Sequence, residues 1–232
     1  MFIVVFDLDG TLIDTSHDLI SAANQAAQQF GLGAQLEYTE KALAMRGGRA
    51  MMRVLTQRAG HAVDEAQIDQ MYPQFITLYE AIVADHARLY DGALEAVAWC
   101  RAQGYGVSIC TNKPAKPTHI LLAALGISDL FDAVVAADTL PVKKPDPAPL
   151  FHAINQTARA QGAEASGAVL IGDTITDVST AQAAGVPVVL VDFDQPSEEL
   201  RQMGADAVIL DYAELPPILE FYAKGSGSQD SA

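Results

Sequence analysis

The chain has 232 residues, half of them apolar, and carries 29 acidic residues against 14 Lys and Arg, a formal net charge of −15. That length supports a sizeable core, as one domain with an insertion or as two modest domains. So acidic a surface repels nucleic acid and anionic membrane, which excludes both as expected partners, and an anion site needs local Lys, Arg, backbone N–H or metal.

No apolar run approaches the roughly 20 residues of a membrane span. The N-terminus has no basic segment before its first strand, so no signal peptide is expected. Cys100 and Cys110 form neither a disulfide framework nor a metal motif. They read as small core residues on a helix and a strand, in a chain suited to a reducing cytoplasm.

Phe2-Ile3-Val4-Val5 predicts a buried parallel strand. It runs into Phe6-Asp7-Leu8-Asp9-Gly10-Thr11-Leu12. Two carboxylates one residue apart at a strand tip arrive at the edge where open α/β sheets bind ligands. Gly10 lets the chain turn sharply, and Thr11 offers a hydroxyl. Two acids so close repel unless a cation lies between them or one holds a proton. The stretch therefore points to a metal site, an acid/base pair, or a nucleophile beside an acid. Asp-Gly by itself would signal only a turn.

A helical block follows. Thr15 and Asp18 predict a capping box. Leu19, Ile20, Ala23, Ala27 and Phe30 recur at helical spacing, and Gly31 suits the C′ position. A second helix is expected from about 39 to 45, an interruption at Arg46-Gly47-Gly48-Arg49, and a third helix over 50–59 ending at Gly60. The stripe Ile68, Met71, Tyr72, Phe75, Leu78, Tyr79 and Ile82 predicts a fourth, which Pro73 should kink or restart.

Beyond residue 87 the pattern alternates. Strands are expected at 106–110, 133–137, 168–172, 186–191 and 207–209. Helices are expected at 117–125, 147–161, 177–184 and 197–203. Residues 212–222 read as partly helical, disturbed at the start by Pro216-Pro217. Such alternation implies right-handed βαβ crossovers and an α/β fold with a parallel sheet covered on both faces. The expected domains are a core of residues 1–14 and 88–224, a helical insertion over 15–87, and a low-complexity, disordered tail over 225–232.

Three further clusters sit at strand ends. Thr111-Asn112-Lys113-Pro114 offers a hydroxyl, an amide and backbone N–H groups that suit a phosphate, or a plain ST-turn. Lys144 stands before Pro145 in a Pro-rich loop; its neighbour Lys143 reads as solvated. Gly172-Asp173-Thr174-Ile175-Thr176-Asp177 again brings carboxylates to a strand-to-helix junction, where they could equally serve as helix-terminal acids.

Asp-x-Asp-Gly-Thr after an N-terminal strand, a strand-end Thr111, Lys144 before Pro, and Gly-Asp-x-x-x-Asp before the Ala-rich helix ending Ala184-Gly185 occur here in order. Together they resemble the four motifs of the haloacid dehalogenase superfamily. The resemblance implies a Rossmann-like parallel-sheet core with an inserted all-helical cap, and a Mg²⁺-dependent phosphatase. By that resemblance Asp7 attacks phosphorus to form an aspartyl-phosphate, and Asp9 serves as general acid and then general base. Mg²⁺ is held by Asp7, the Asp9 carbonyl and Asp173, with Asp177 in or just behind the metal shell. Gly10, Thr11 and Thr111 bind the phosphoryl group, Asn112 supports the entrance, and Lys144 neutralises phosphoryl oxygens and relieves repulsion among the acids. The second Asp, Asp9, which the dehalogenase members lack, argues for phosphate esters over carbon–halogen bonds.

The run Asp14-Thr15-Ser16-His17-Asp18-Leu19 and Thr111-Asn112-Lys113 look like phosphoglycolate phosphatase-like members, whose substrate is a small phosphorylated acid. Selectivity is expected in the cap loop, where Arg46 could pair with an anion and Gly47 and Gly48 allow close backbone approach. That loop departs from the glycine-asparagine-glycine stretch of bacterial phosphoglycolate phosphatases, and Asp91 replaces a usual Pro. The expected partner is a small-molecule phosphate ester, handled by a cytoplasmic monomer or homodimer. Alternatives are a sugar-phosphate mutase or a pyrophosphatase on the same scaffold, or a non-catalytic phosphate-binding regulatory protein. The sequence gives no sign of the Schiff-base cap lysine that phosphonatases use, although position alone does not exclude Lys41. His17 could reach the cleft mouth but reads better as a first-turn helix residue. His61, His86, His119 and His152 are assigned nothing.

Overall fold

The computed structural model describes residues 1–193 and 202–226. Contacts divide the chain into two compact units, Met1–Ile13 with Leu89–Ala115 and Gly126 onward, and Asp14–Arg88 with Lys116–Leu125.

The first unit is built on a six-stranded sheet of order β5-β4-β1-β6-β7-β8, with β1 Phe2–Phe6, β4 Gly106–Cys110, β5 Ala133–Val135, β6 Gly167–Gly172, β7 Val188–Val191 and β8 Ala207–Ile209. Every pairing is parallel. β1 lies at the centre, with Phe6 opposite Ile109 on one side and Ile171 on the other. All five of its residues are buried, which is why the strand reads as an unbroken apolar run rather than an alternation. Helices α7 (Ala148–Ala160) and α8 (Ile175–Ala184) pack on the sheet, as do α5 (Ala93–Ala102) and α9 (Leu215–Ser226). Ile3, Val5, Cys110, Leu150, Ala153, Leu170 and Val188 form one continuous apolar cluster. This is the expected Rossmann-like α/β core.

The second unit is helical: α1 Ser16–Gln29, α2 Lys41–Met45, α3 Gly48–Arg58, α4 Glu65–Ile82 and α6 Ala115–Ala124, whose Lys116 pairs with Glu80. Ile68, Met71, Phe75 and Tyr79 give α4 its buried face. At the start of α3 a Cβ on Gly48 would collide with the Phe75 ring, so only glycine permits that helix approach. Arg53 pairs with Glu65, and Arg49 with Asp69. The chain passes between units at two short strands that pair with each other, β2 (Ile13–Asp14) and β3 (Arg88–Leu89), neither of which the apolar pattern predicts.

Several local expectations are corrected. The capping box from Thr15 and Asp18 does not form. Asp14 Oδ1 instead accepts from the Ser16 N–H at 3.0 Å and the Ser16 hydroxyl at 2.5 Å. Asp18 turns to His86, accepting its backbone N–H at 3.0 Å. α4 runs through Pro73 without a restart, because the apolar stripe on either side of it is buried as one face. Pro216-Pro217 do not disturb α9. They occupy its first turn, where a missing N–H forfeits no helical bond. α9 also takes in Gly225 and Ser226, the start of the expected tail. Residues 227–232 of that tail, and 197–201 of the helix expected over 197–203, lie outside the described residues. The strand expected over 133–137 stops at Val135, and that over 186–191 begins at Val188.

Candidate active site

The site follows from strand order. β4, β1 and β6 are neighbours, so the residues just past their carboxyl ends converge. Asp7 extends the ladder by one bond, its N–H donating to the Ile171 carbonyl at 2.8 Å. Thr111 does the same to Val135 at 2.9 Å. The Asp7–Thr11 turn closes through Gly10, with φ of 83°, whose N–H donates to Ile13 at 2.9 Å. A side chain is strained in that left-handed backbone.

Four charged groups meet there. Lys144, delivered by the loop before α7, places its ammonium 3.0 Å from Asp7 Oδ1 and 2.6 Å from Asp177 Oδ1. Asp7 Oδ1 also accepts the Leu8 N–H at 2.7 Å. Asp173 Oδ1 accepts the Thr11 hydroxyl at 2.9 Å. Asp177 is fully buried, and its Oδ2 accepts from the Thr174 hydroxyl at 2.7 Å, the Thr174 N–H at 3.1 Å and the Asp173 N–H at 3.3 Å. Thr174 and Asp177 thus form the capping box of α8, and Asp177 shapes the β6–α8 turn while it holds Lys144. Gly172 lies against Asp177 with no room for a Cβ.

The charges do not balance. Asp7, Asp173 and Asp177 each offer an oxygen within 4.8 Å of the others, and the buried ammonium of Lys144 reaches two of them, Asp7 and Asp177. Burial pushes the Asp7 carboxyl up to about 6, and the neighbouring Asp177 adds to this, while Lys144 and the Leu8 N–H pull it back. Burial, then Asp177 and Asp7, raise Asp173 well above the ordinary carboxylate range. Burial alone would lower Lys144, but Asp177 and Asp7 outweigh it and hold the ammonium charged. An excess of buried negative charge on hard oxygen donors, with no sulfur or imidazole among them, fits a divalent cation of the Mg²⁺ class.

Beside this cluster, Asp9 is gripped by Lys113, whose Nζ lies 2.8 Å from Oδ1 and 3.0 Å from Oδ2. Asn112 donates from its amide to the Lys144 carbonyl at 3.0 Å, tying two of the loops together. Thr111 Oγ accepts the Lys113 N–H at 3.1 Å. Lys143 is exposed while Lys144 is buried.

The helical unit holds the remaining candidates. Arg46 is exposed and Gly47, with φ of 87°, caps α3. Lys41 pairs with Asp14 at 3.0 Å. His86, assigned nothing from its spacing, is corrected: its Nδ1 lies 2.9 Å from Asp18 Oδ1, and its ring centroid is 3.9 Å from that of His17. His17 also stacks on Tyr38.

Two residues of the sheet unit escaped the sequence reading. Lys113 is one in part: the sequence places it in the Thr111–Pro114 cluster but assigns no role to its ammonium or its pairing with Asp9. Tyr212 is the other: its hydroxyl donates to the Thr11 carbonyl at 2.9 Å, anchoring the Asp7–Thr11 turn from the far end of the chain. No local pattern marks it.

Residues 4–191 match the family model of haloacid dehalogenase-like hydrolases. The chain is 37% identical over 207 residues to a phosphoglycolate phosphatase of Mesorhizobium japonicum, covering 89% of each chain. It is 37% identical over 227 residues to a phosphoglycolate phosphatase of Rhodospirillum rubrum, covering 96% of this chain and 92% of that one. Among solved structures it is similar to that of a predicted phosphoglycolate phosphatase from Haemophilus somnus, with a TM-score of 0.78 at 26% identity over 93% of this chain and 96% of the other.

Proposed function

The chain belongs to the haloacid dehalogenase-like hydrolases, and we propose that within that family it is a Mg²⁺-dependent phosphoric monoester hydrolase acting on a small phosphorylated acid, phosphoglycolate or a close analogue, through an aspartyl-phosphate. The observation that carries this reading is the convergence of Asp7, Asp173, Asp177 and Lys144 beside Asp9 at the ends of adjacent parallel strands.

Asp7 is the nucleophile. Lys144 and the Leu8 N–H fix its Oδ1, which orients the carboxylate toward phosphorus. Asp9 protonates the leaving oxygen and then takes a proton from the water that hydrolyses the acyl phosphate. For that it must turn from Lys113. Lys144 stabilises the charge on the transferring oxygens, and Thr111 with the N–H groups of the Gly10–Thr11 turn orients them. When bound, Mg²⁺ would be held by Asp7, the Asp9 carbonyl and Asp173, with Asp177 behind, and would neutralise phosphoryl charge. Residues 15–87 form the cap and 1–14 with 88–224 the core, and Arg46 and Gly47 contribute to leaving-group selection. The enzyme acts in the cytoplasm as a monomer or homodimer.

Phosphate release from a panel of phosphoglycolate, sugar phosphates, nucleotides and pyrophosphate tests the reading, with and without Mg²⁺ and with Asp7→Asn as the blank. Mg²⁺-dependent release led by phosphoglycolate, and none from folded Asp7→Asn, is expected. Full activity in folded Asp7→Asn would overturn the aspartyl-phosphate. Pyrophosphate as the leading substrate, or isomerised sugar phosphate as product, would shift the assignment to those chemistries.

A further inference from the structure

Asp18, in the first turn of α1, is a fully buried carboxylate inside the helical unit. A buried carboxylate is costly without a cationic partner. Among the described residues its ion-pair partners are both imidazoles, His86 Nδ1 at 2.9 Å and His17 Nδ1 at 3.7 Å. The His86 N–H, at 3.0 Å, holds the other carboxylate oxygen. His17 Nδ1 is itself buried and has no hydrogen-bond partner. A buried nitrogen without a partner costs free energy, and an ion that it can ligate removes that cost. The phosphatase chemistry uses none of these three residues.

We propose that His17, Asp18 and His86 bind a transition-metal ion of the Zn²⁺ class, at a site that shares no residue with the Asp7, Asp173 and Asp177 cluster. Each offers one donor atom within 4.8 Å of the others. Donors about 2.0–2.1 Å from a tetrahedral ion stand roughly 3.3 Å apart. The observed 3.7 and 2.9 Å lie on either side of that spacing. Two imidazole nitrogens and one carboxylate oxygen leave a fourth position for water. This mixed donor set selects Zn²⁺, with Cu²⁺ and Ni²⁺ as competitors, over Mg²⁺, which prefers oxygen alone. The two rings stack, with centroids 3.9 Å apart and planes 31° apart, and His17 also stacks on Tyr38. An ion must lie in the plane of each ring it binds, so coordination turns the rings out of that stack. Side chains 40% and 50% exposed have room to turn. The bound ion clamps the first turn of α1 to the segment that enters β3, 68 residues away in sequence.

Zn²⁺ titration of the untagged chain at about pH 7.5, where imidazole is mostly neutral, tests the site through the NMR ring signals of the five histidines. Excess Mg²⁺ is present throughout, because it competes for the all-oxygen cluster and poorly for imidazole. One equivalent of Zn²⁺ should shift the His17 and His86 signals and leave those of His61, His119 and His152 in place. His17→Gln and His86→Gln should each weaken that binding by about tenfold or more, since loss of an outer-shell partner alone costs as much. Zn²⁺ should raise the unfolding midpoint of the unmodified protein but not that of either variant. Binding undiminished in both variants, shifts confined to the other three histidines, or half-saturation only at millimolar Zn²⁺ would overturn the proposal. Should a variant fail to fold, the ring signals of the unmodified protein decide between the same outcomes.

Discussion

Replacing Asp7, the proposed nucleophile, should make the metal-free protein more stable. Asp7 is buried beside Asp177, and its carboxyl is raised from 3.8 to about 6 despite Lys144. A carboxyl raised in this way binds its proton more tightly in the folded chain than in the unfolded one. Stability therefore falls as pH rises from about 4 to 6, and the full cost persists above that window. A rise of about two units, at roughly 1.4 kcal/mol each, corresponds to about 3 kcal/mol at neutral pH and above. Asn is neutral, and its oxygen can still accept from Lys144 and the Leu8 N–H, so Asp7→Asn removes the cost and keeps the shape. For a chain of this length that gain corresponds to a rise of roughly 6–10 °C in unfolding midpoint. The assay is thermal unfolding of parent and variant in chelator at pH 8 and again at pH 4. The gain should be large at pH 8 and nearly vanish at pH 4, where the parent's Asp7 is already protonated. A variant no more stable than the parent at pH 8, or an equal gain at both pH values, would refute the electrostatic account. If Asp7 holds Mg²⁺ as proposed, adding the ion should narrow the gap by stabilising the parent more than the variant.

Lys144→Met is expected to act in the opposite direction, stranding the buried carboxylates of Asp7 and Asp177 at a cost of about 3–5 kcal/mol in chelator. Denaturant midpoints should show the deficit shrinking on acidification or on addition of Mg²⁺; a pH-independent deficit would contradict the assignment. Gly172→Ala should cost about 1–3 kcal/mol because its Cβ collides with the Asp177 carboxyl. It should also lower kcat/KM by displacing that carboxylate, and unchanged activity would show that the turn tolerates the shift. Tyr212→Phe should lose about 1 kcal/mol with the bond to the Thr11 carbonyl. Its activity loss should appear in kcat more than in KM if the Asp7–Thr11 turn is what it steadies.

Much of the site is legible in the chain because each part of it is a local event. An apolar run followed at once by Asp7-Leu8-Asp9, by Thr111, or by Gly172-Asp173 marks a strand tip, and parallel strands bring such tips to one edge. The same locality made Pro73 and Pro216 misleading, since their effect depends on where the helix begins and which face is buried. Lys143 and Lys144 are adjacent and chemically alike, yet only Lys144 is buried between Asp7 and Asp177. The partnerships of Lys113 with Asp9 and of Tyr212 with Thr11 span 104 and 201 residues. Hydrophobic period and turn chemistry, which act over a few residues, determined the elements and the polar residues at their ends. Strand order and register determined which of those side chains share a counter-charge, because burial leaves an ion stable only beside the partner that the tertiary fold delivers.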